Sequence, residues 1–239
     1  MKIRSRFSIA IILMVCLLTL PLIGEGWSKK KKIEKVACVG DSITYGARLK
    51  DPGKNSYPAQ LQSLLGSRYE VTNFGVSSST LLRKGRPTVW SQLPKIKASN
   101  PDVVIISLGT NDTCGMGTCG SRKCWEYKDE YEGDYCDLID ELKALPWKPK
   151  IWICAPSPMV LETPGLSKER IDGLTIRKPR LQELIGYVKK VAKKKGVGFI
   201  DLNTPLQHKP EMFTQKDGVH PNKDGYRAIA ELVYQEILK

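Results

Sequence analysis

Two short segments at opposite ends of this 239-residue chain hold the residue types best suited to covalent chemistry. Near the start stands Val39-Gly40-Asp41-Ser42-Ile43-Thr44, and near the end Asp217-Gly218-Val219-His220-Pro221. A serine hydroxyl is a weak nucleophile until a base takes its proton. An imidazole serves best as that base when a carboxylate fixes its tautomer and stabilises its charged form. Ser42, His220 and Asp217 are the types such a relay needs, and the chain order Ser, Asp, His is one of its known arrangements. The spacing Asp217-x-x-His220 puts carboxylate and imidazole on one short turn. Each residue also has a plainer reading: Ser42 can cap a helix, and Asp217-Gly218 and Asn111-Asp112 can be ordinary turns. Their joint occurrence at strand ends is what points to catalysis.

The elements that must position these residues are legible as apolar runs. Val36–Val39, Val103–Leu108, Ile151–Cys154 and Gly198–Leu202 read as buried parallel strands, short and rich in β-branched residues, and Tyr69–Asn73 as another. Helices are expected over Tyr57–Leu65, Glu126–Leu145, Arg177–Lys195 and Lys223–Ile237. Strands alternating with helices predict an α/β fold, a three-layer sandwich around a parallel sheet. Ligands of such sheets bind beyond the carboxyl ends of the strands. Ser42 follows the first strand, Ser77–Ser79 the second and Asn111 the third, while Asp217 and His220 precede the last helix.

The chain resembles the SGNH hydrolases, the GDSL esterase family, over Val36–Lys239. Gly40-Asp41-Ser42-Ile43, Gly109-Thr110-Asn111-Asp112 and Asp217-Gly218-Val219-His220 carry the likeness. It implies a flavodoxin-like fold, Ser42 as nucleophile, His220 as base, Asp217 as its orienting carboxylate, and an oxyanion hole from the Ser42 N–H and the Asn111 amide. No metal or organic cofactor is implied. The family usually has a glycine after the second strand whose N–H completes that hole, and here Ser78 falls at its place in Asn73-Phe74-Gly75-Val76-Ser77-Ser78-Ser79-Thr80. Gly75 itself reads as a turn residue. The absence of GxSxG around Ser42 argues against an α/β-hydrolase elbow. Asn73–Ser77, Lys148–Cys154 and Asp217–Ala230 are further similar to bacterial carbohydrate acetylesterases of the sialate O-acetylesterase-like type, which implies a small-molecule or glycan ester as substrate. Two alternatives are a lipolytic esterase or thioesterase, with Leu81, Leu82, Val160, Leu161 and Leu166 as groove candidates, and a non-catalytic glycan-binding protein on an esterase scaffold.

Lys2, Arg4 and Arg6 precede an apolar run, Ile9–Leu20, and then Gly24 and Gly26, the order of a secretory signal. Residues 1–26 are therefore expected to direct export, with an uncleaved anchor as the alternative, residues 27–35 to form a basic linker, and residues 36–239 the catalytic domain. Contact with a membrane is expected only through that first segment. Cys114, Cys119, Cys124 and Cys136 crowd one loop-rich stretch and suggest two disulfides in any of three pairings. A zinc shell is the rival, but the spacings lack CxxC pairs. A disulfide-stapled Thr113–Cys124 loop would border the pocket and restrict it to small acyl groups. Cys38 and Cys154 read as buried thiols, His208 as a surface residue, and Trp90, Trp125 and Trp152 as core packing rather than a sugar platform. The formal charge of +13 is scattered, without aromatic-interleaved basic motifs, so nucleic acid is not expected as a partner.

Overall fold

The computed structural model describes residues 32–239. The signal segment and most of the basic linker lie outside the described residues. Five strands, β1 (Glu34–Gly40), β2 (Tyr69–Gly75), β3 (Val103–Ser107), β4 (Lys150–Ala155) and β5 (Gly198–Asp201), form one all-parallel sheet in the order β2-β1-β3-β4-β5. All five expected strands are present, with ends displaced by no more than two residues. Among the helices, α1 is Ser42–Tyr45, α2 Pro52–Asn55, α3 Tyr57–Leu65, α4 Leu93–Ala98, α5 Tyr131–Lys143, α6 Lys168–Lys195 and α7 Lys223–Ile237.

The two-residue period of a strand sends alternate side chains to opposite faces. Along β1, Val36 and Cys38 enter one core with α3 and α7, while Ala37 and Val39 enter a second with α4 and α5. Both faces are thus covered at the centre of the sheet, which is why Val36–Val39 of β1 and Val103–Ile106 of β3 are continuously apolar rather than alternating. The long α6 serves both cores, with Leu181 and Ile185 in the first and Leu184 and Val188 in the second.

Two expected helices differ from those observed. The one expected from Glu126 begins instead as 3-10 turns over Cys124–Glu130, where Tyr127 leaves helical geometry (φ −109°, ψ 18°), and becomes α-helical at Tyr131. The one expected from Arg177 starts at Lys168, capped by the Ser167 hydroxyl accepting from the Arg170 N–H, and carries Pro179 within it. Proline reads in sequence as a helix start or a break, which hid the turns before it.

The cysteine expectation is corrected in part. One disulfide, Cys114–Cys119, is present, whereas Cys124 and Cys136 are free and buried. Both pack in the α4–α5 core beside Tyr131 and Tyr135, behaving as small hydrophobes. Cys38 and Cys154 are free and buried as expected, and burial pushes the Cys38 thiol up to about 12. His208 is exposed. The residues named as groove candidates for the lipolytic alternative are drawn toward the core. Leu81, Leu82 and Val160 are fully buried, and Leu161 and Leu166 pack against the core.

Candidate active site

The sheet order places a topological switch at β1, whose neighbours β2 and β3 lie on opposite sides. The crevice beyond the carboxyl end of β1 is where this architecture binds ligands, and Ser42 opens α1 there. The helix cap is Asp41, not Ser42: the Asp41 Oδ1 accepts from the Ile43 N–H at 2.8 Å. That arrangement leaves the Ser42 hydroxyl free. Two close approaches hold the turn in place. A Cβ on Gly75 would stand 2.1 Å from the Tyr45 backbone nitrogen, and one on Gly40 would stand 2.6 Å from the Ser107 carbonyl oxygen. Gly75 therefore serves close packing of β2 against α1 rather than a turn.

The second segment is a turn and a line of hydrogen bonds at once. Asp217 Oδ1 accepts from the backbone N–H groups of Val219 (3.0 Å) and His220 (2.9 Å), and Gly218 takes a positive φ of 61°. This local net aims Oδ2 at the imidazole, with His220 Nδ1 2.7 Å away, and His220 Nε2 lies 2.8 Å from Ser42 Oγ. A carboxylate only accepts, so Nδ1 donates to Asp217 and Nε2 is left to accept from the serine. Burial pushes the Asp217 carboxyl up, but the His220 ring and the His220 and Val219 N–H groups outweigh it and hold the group well below the usual carboxylate range. Arg48 Nε adds a further contact to Oδ2 at 3.2 Å.

Asn111 sits in a 3-10 turn, Asn111–Thr113, beyond β3. Its Nδ2 donates to the Ser79 carbonyl (3.0 Å) and, at 3.4 Å, to Asp41 Oδ2, while Arg122 Nη1 donates to its Oδ1 at 3.2 Å. The guanidinium thereby fixes which end of the amide is the donor. Ser78 is the residue expected to complete the oxyanion hole. It takes the left-handed conformation (φ 65°), is exposed, and presents its carbonyl to Arg122 Nη2 at 2.9 Å, and it is not among the residues lining the pocket. Ser42, Asn111, Asp217 and His220 do line one pocket, of about 330 Å³, walled by Cys114 and Cys119. Beneath it, Asp41 and Asp112 are buried carboxyls. Burial pushes Asp41 up to about 6 against the Ile43 N–H and the charges of His220 and Arg177. Burial likewise pushes Asp112 up to about 7, against the Leu82 and Leu81 N–H groups and with Asp41 adding to the rise.

Sequence reasoning missed Arg48, Arg122, Arg170, Arg177 and Lys216, which share this pocket although they are spread over some 170 positions. No motif links them, and only the overall positive charge hinted at a basic site. Trp90, Trp125 and Trp152 are partly buried against the cores, as expected.

Residues 38–228 match the model of the GDSL-like lipase/acylhydrolase family. The chain belongs to that family. An acetylxylan esterase of Xylanibacter ruminicola is 32% identical over 223 residues, covering 85% of this chain and 43% of that protein. The chain thus spans less than half the length of that relative. Among solved structures, a carbohydrate acetylesterase from Sinorhizobium meliloti superposes with a TM-score of 0.64 at 21% identity, over 86% of this chain and 98% of the other. An aryl esterase of M. smegmatis does so with 0.63 at 22% identity, over 85% and 99%. These two establish the fold.

Proposed function

We propose that this GDSL-family chain is a serine esterase that removes small acyl groups, chiefly acetyl, from carbohydrates. The observation that carries the reading is the unbroken line from Ser42 Oγ through the His220 ring to Asp217 Oδ2, at 2.8 and 2.7 Å. His220 Nε2 takes the Ser42 proton as Oγ attacks the ester carbonyl carbon. The tetrahedral intermediate then collapses by breaking the bond to the sugar oxygen, which leaves with the proton from His220. Water, deprotonated by His220, attacks the acyl-enzyme and releases the carboxylic acid, restoring Ser42.

The oxyanion is held by the Ser42 N–H and by the Asn111 amide, whose 3.4 Å contact to Asp41 is the weaker of its two and the one an oxyanion would replace. Ser78 is left out of this assignment because it does not line the pocket. Two observations favour short acyl groups. The pocket is small and walled by the Cys114–Cys119 bridge, and of the residues named for a lipid groove Leu81, Leu82 and Val160 are fully buried. The acetylxylan esterase and carbohydrate acetylesterase relatives support the acetyl and sugar assignments. The disulfide favours action in an oxidising compartment outside the cytoplasm, reached through the N-terminal segment.

The test is hydrolysis of p-nitrophenyl acetate, butyrate and octanoate by the chain and its Ser42→Ala variant. Preference for acetate, lost in the variant, is expected. Octanoate preference would overturn the short-acyl assignment, and undiminished turnover in the variant would overturn the nucleophile.

A further inference from the structure

Few of the positive charges at the Ser42 pocket have a carboxylate partner, in contrast to several on the outer surface. On the outer surface, Lys84, Lys97, Lys128, Lys190 and Lys195 each face a glutamate or aspartate. At the pocket five cations converge, Arg48, Arg122, Arg170, Arg177 and Lys216, and Asp217 is the lone carboxylate residue among the lining groups. That carboxylate is already engaged by His220 and by Arg48.

The other cations bond to neutral groups or to nothing. Arg122 donates to the Asn111 side-chain oxygen and the Ser78 carbonyl, and Arg177 to the Thr113 hydroxyl and the Thr110 carbonyl. Arg170 uses only Nε, on the Asp217 carbonyl, which leaves both terminal nitrogens without a partner among the described residues. Exposed Lys216 makes no ion pair or hydrogen bond among them. These bonds position loops, yet none neutralises a charge. The crowding is felt where it is most buried: Arg177 is lowered to about 10, first by burial and then by the charges of Arg170 and Arg122.

The cluster also continues beyond the nucleophile. Arg170, Arg177 and Lys216 are shared with an adjoining groove of about 870 Å³ between the Gly117–Gly120 loop and the start of α6, whose lining also holds Glu169 and a Lys168–Asp172 pair, so the unpaired charge is concentrated at the Ser42 end. Together, pocket and groove have room for several sugar units rather than one.

We propose that this site takes esters borne on an anionic glycan, with a carboxylate or sulfate of the sugar portion seated against Arg48, Arg170 and Lys216 while the acyl carbon meets Ser42. The assignment rests on the esterase reading for which group is cleaved, but anion binding itself does not depend on turnover. An unpaired cation cluster in a concave site attracts and orients anions, and guanidinium forks suit the planar carboxylate and the sulfate equally.

The experiment is competition against p-nitrophenyl acetate hydrolysis by tetragalacturonate, by a sulfated galactan tetrasaccharide and by neutral xylotetraose, at matched ionic strength. A charged oligosaccharide is expected to inhibit competitively about tenfold or more below the concentration needed for xylotetraose, with the gap closing as salt shortens the screening length. The stronger of the two charged probes identifies carboxylate or sulfate as the preferred group. In Lys216→Glu, which alters an exposed side chain, the gap is expected to narrow by about three- to fivefold. Equal inhibition by charged and neutral oligosaccharides would overturn the proposal while leaving the esterase intact. Calorimetric titration of the same three probes into Ser42→Ala reads the anion site without turnover. Charged probes binding to a chain that hydrolyses no ester would sink the esterase reading and retain the anion site.

Discussion

Asp217 and Asp41 do the same local work with opposite electrostatic results. Each lies two residues before a backbone N–H that it accepts, Val219 for Asp217 and Ile43 for Asp41, and each thereby shapes the turn that presents a reacting residue. Asp217 also meets the His220 ring and stays ionised far below the ordinary carboxylate range, whereas Asp41 is fully buried and rises to about 6. One carboxyl is a fixed charge which, on the proposed reading, steadies an imidazolium. The other is a hydrogen-bonding post whose charge the fold resists. Turn geometry alone does not distinguish these roles; what distinguishes them is burial and partner, since the second oxygen of fully buried Asp41 meets only the neutral Asn111 amide at 3.4 Å, whereas that of Asp217 meets the His220 ring at 2.7 Å and Arg48 Nε at 3.2 Å.

The largest effect that tests this contrast is Asp217→Asn. The amide can present its nitrogen to Nδ1 and favour the wrong tautomer, so kcat should fall by about 10⁴-fold, with the fold retained in circular dichroism. A loss below tenfold would break the contrast. Asp41→Asn should cost far less, about tenfold in kcat, because one amide oxygen cannot accept from both the Ile43 N–H and the Asn111 amide. If Asp41→Asn proved as damaging as Asp217→Asn, the charge of Asp41 would be catalytic after all.

How much of this was open to sequence follows the same division between local and distant causes. The five strands and the Asp217–His220 turn are written in continuous segments, in β-branched runs and in a carboxylate three positions from its histidine. Helix α1 has four residues, too few to show a period, so the transfer of the cap from Ser42 to Asp41 was not legible. The early start of α6 lay hidden behind Pro179. The pairing of Cys114 with Cys119 depends on Cys124 and Cys136 being drawn into the α4–α5 core, which only packing decides. The cationic cluster is the extreme case, since four arginines and a lysine from four separate segments of the chain meet at one pocket.

Smaller effects sharpen the comparison from the side of stability. Asp112 oxygens accept from the Leu81 and Leu82 N–H groups, and Asp112→Asn can keep one of these bonds. It should therefore lose about 1–3 kcal/mol in chemical denaturation. The pH dependence has a definite sign. Asp41 and Asp112 bind their protons more tightly in the folded chain than in the unfolded one, so their contribution to stability declines as pH rises from about 4 through 6–7. Asp217 acts oppositely, and its stabilisation is lost as pH falls below about 4. Thermal unfolding across about pH 4–8 should show the midpoint falling toward neutral pH, with a shallower fall in Asp112→Asn by roughly 2–4 °C for each kcal/mol removed. An identical slope in the variant would place the responsible groups elsewhere.

The central claim, that Ser42 is the nucleophile activated through His220 and Asp217, is tested most directly by the organophosphate paraoxon followed by peptide mass spectrometry. A single diethylphosphoryl adduct on Ser42, formed in step with loss of esterase activity and slowed in Asp217→Asn, is the result expected. Inactivation with the adduct on another residue, or full activity in a chain modified at Ser42, would contradict it.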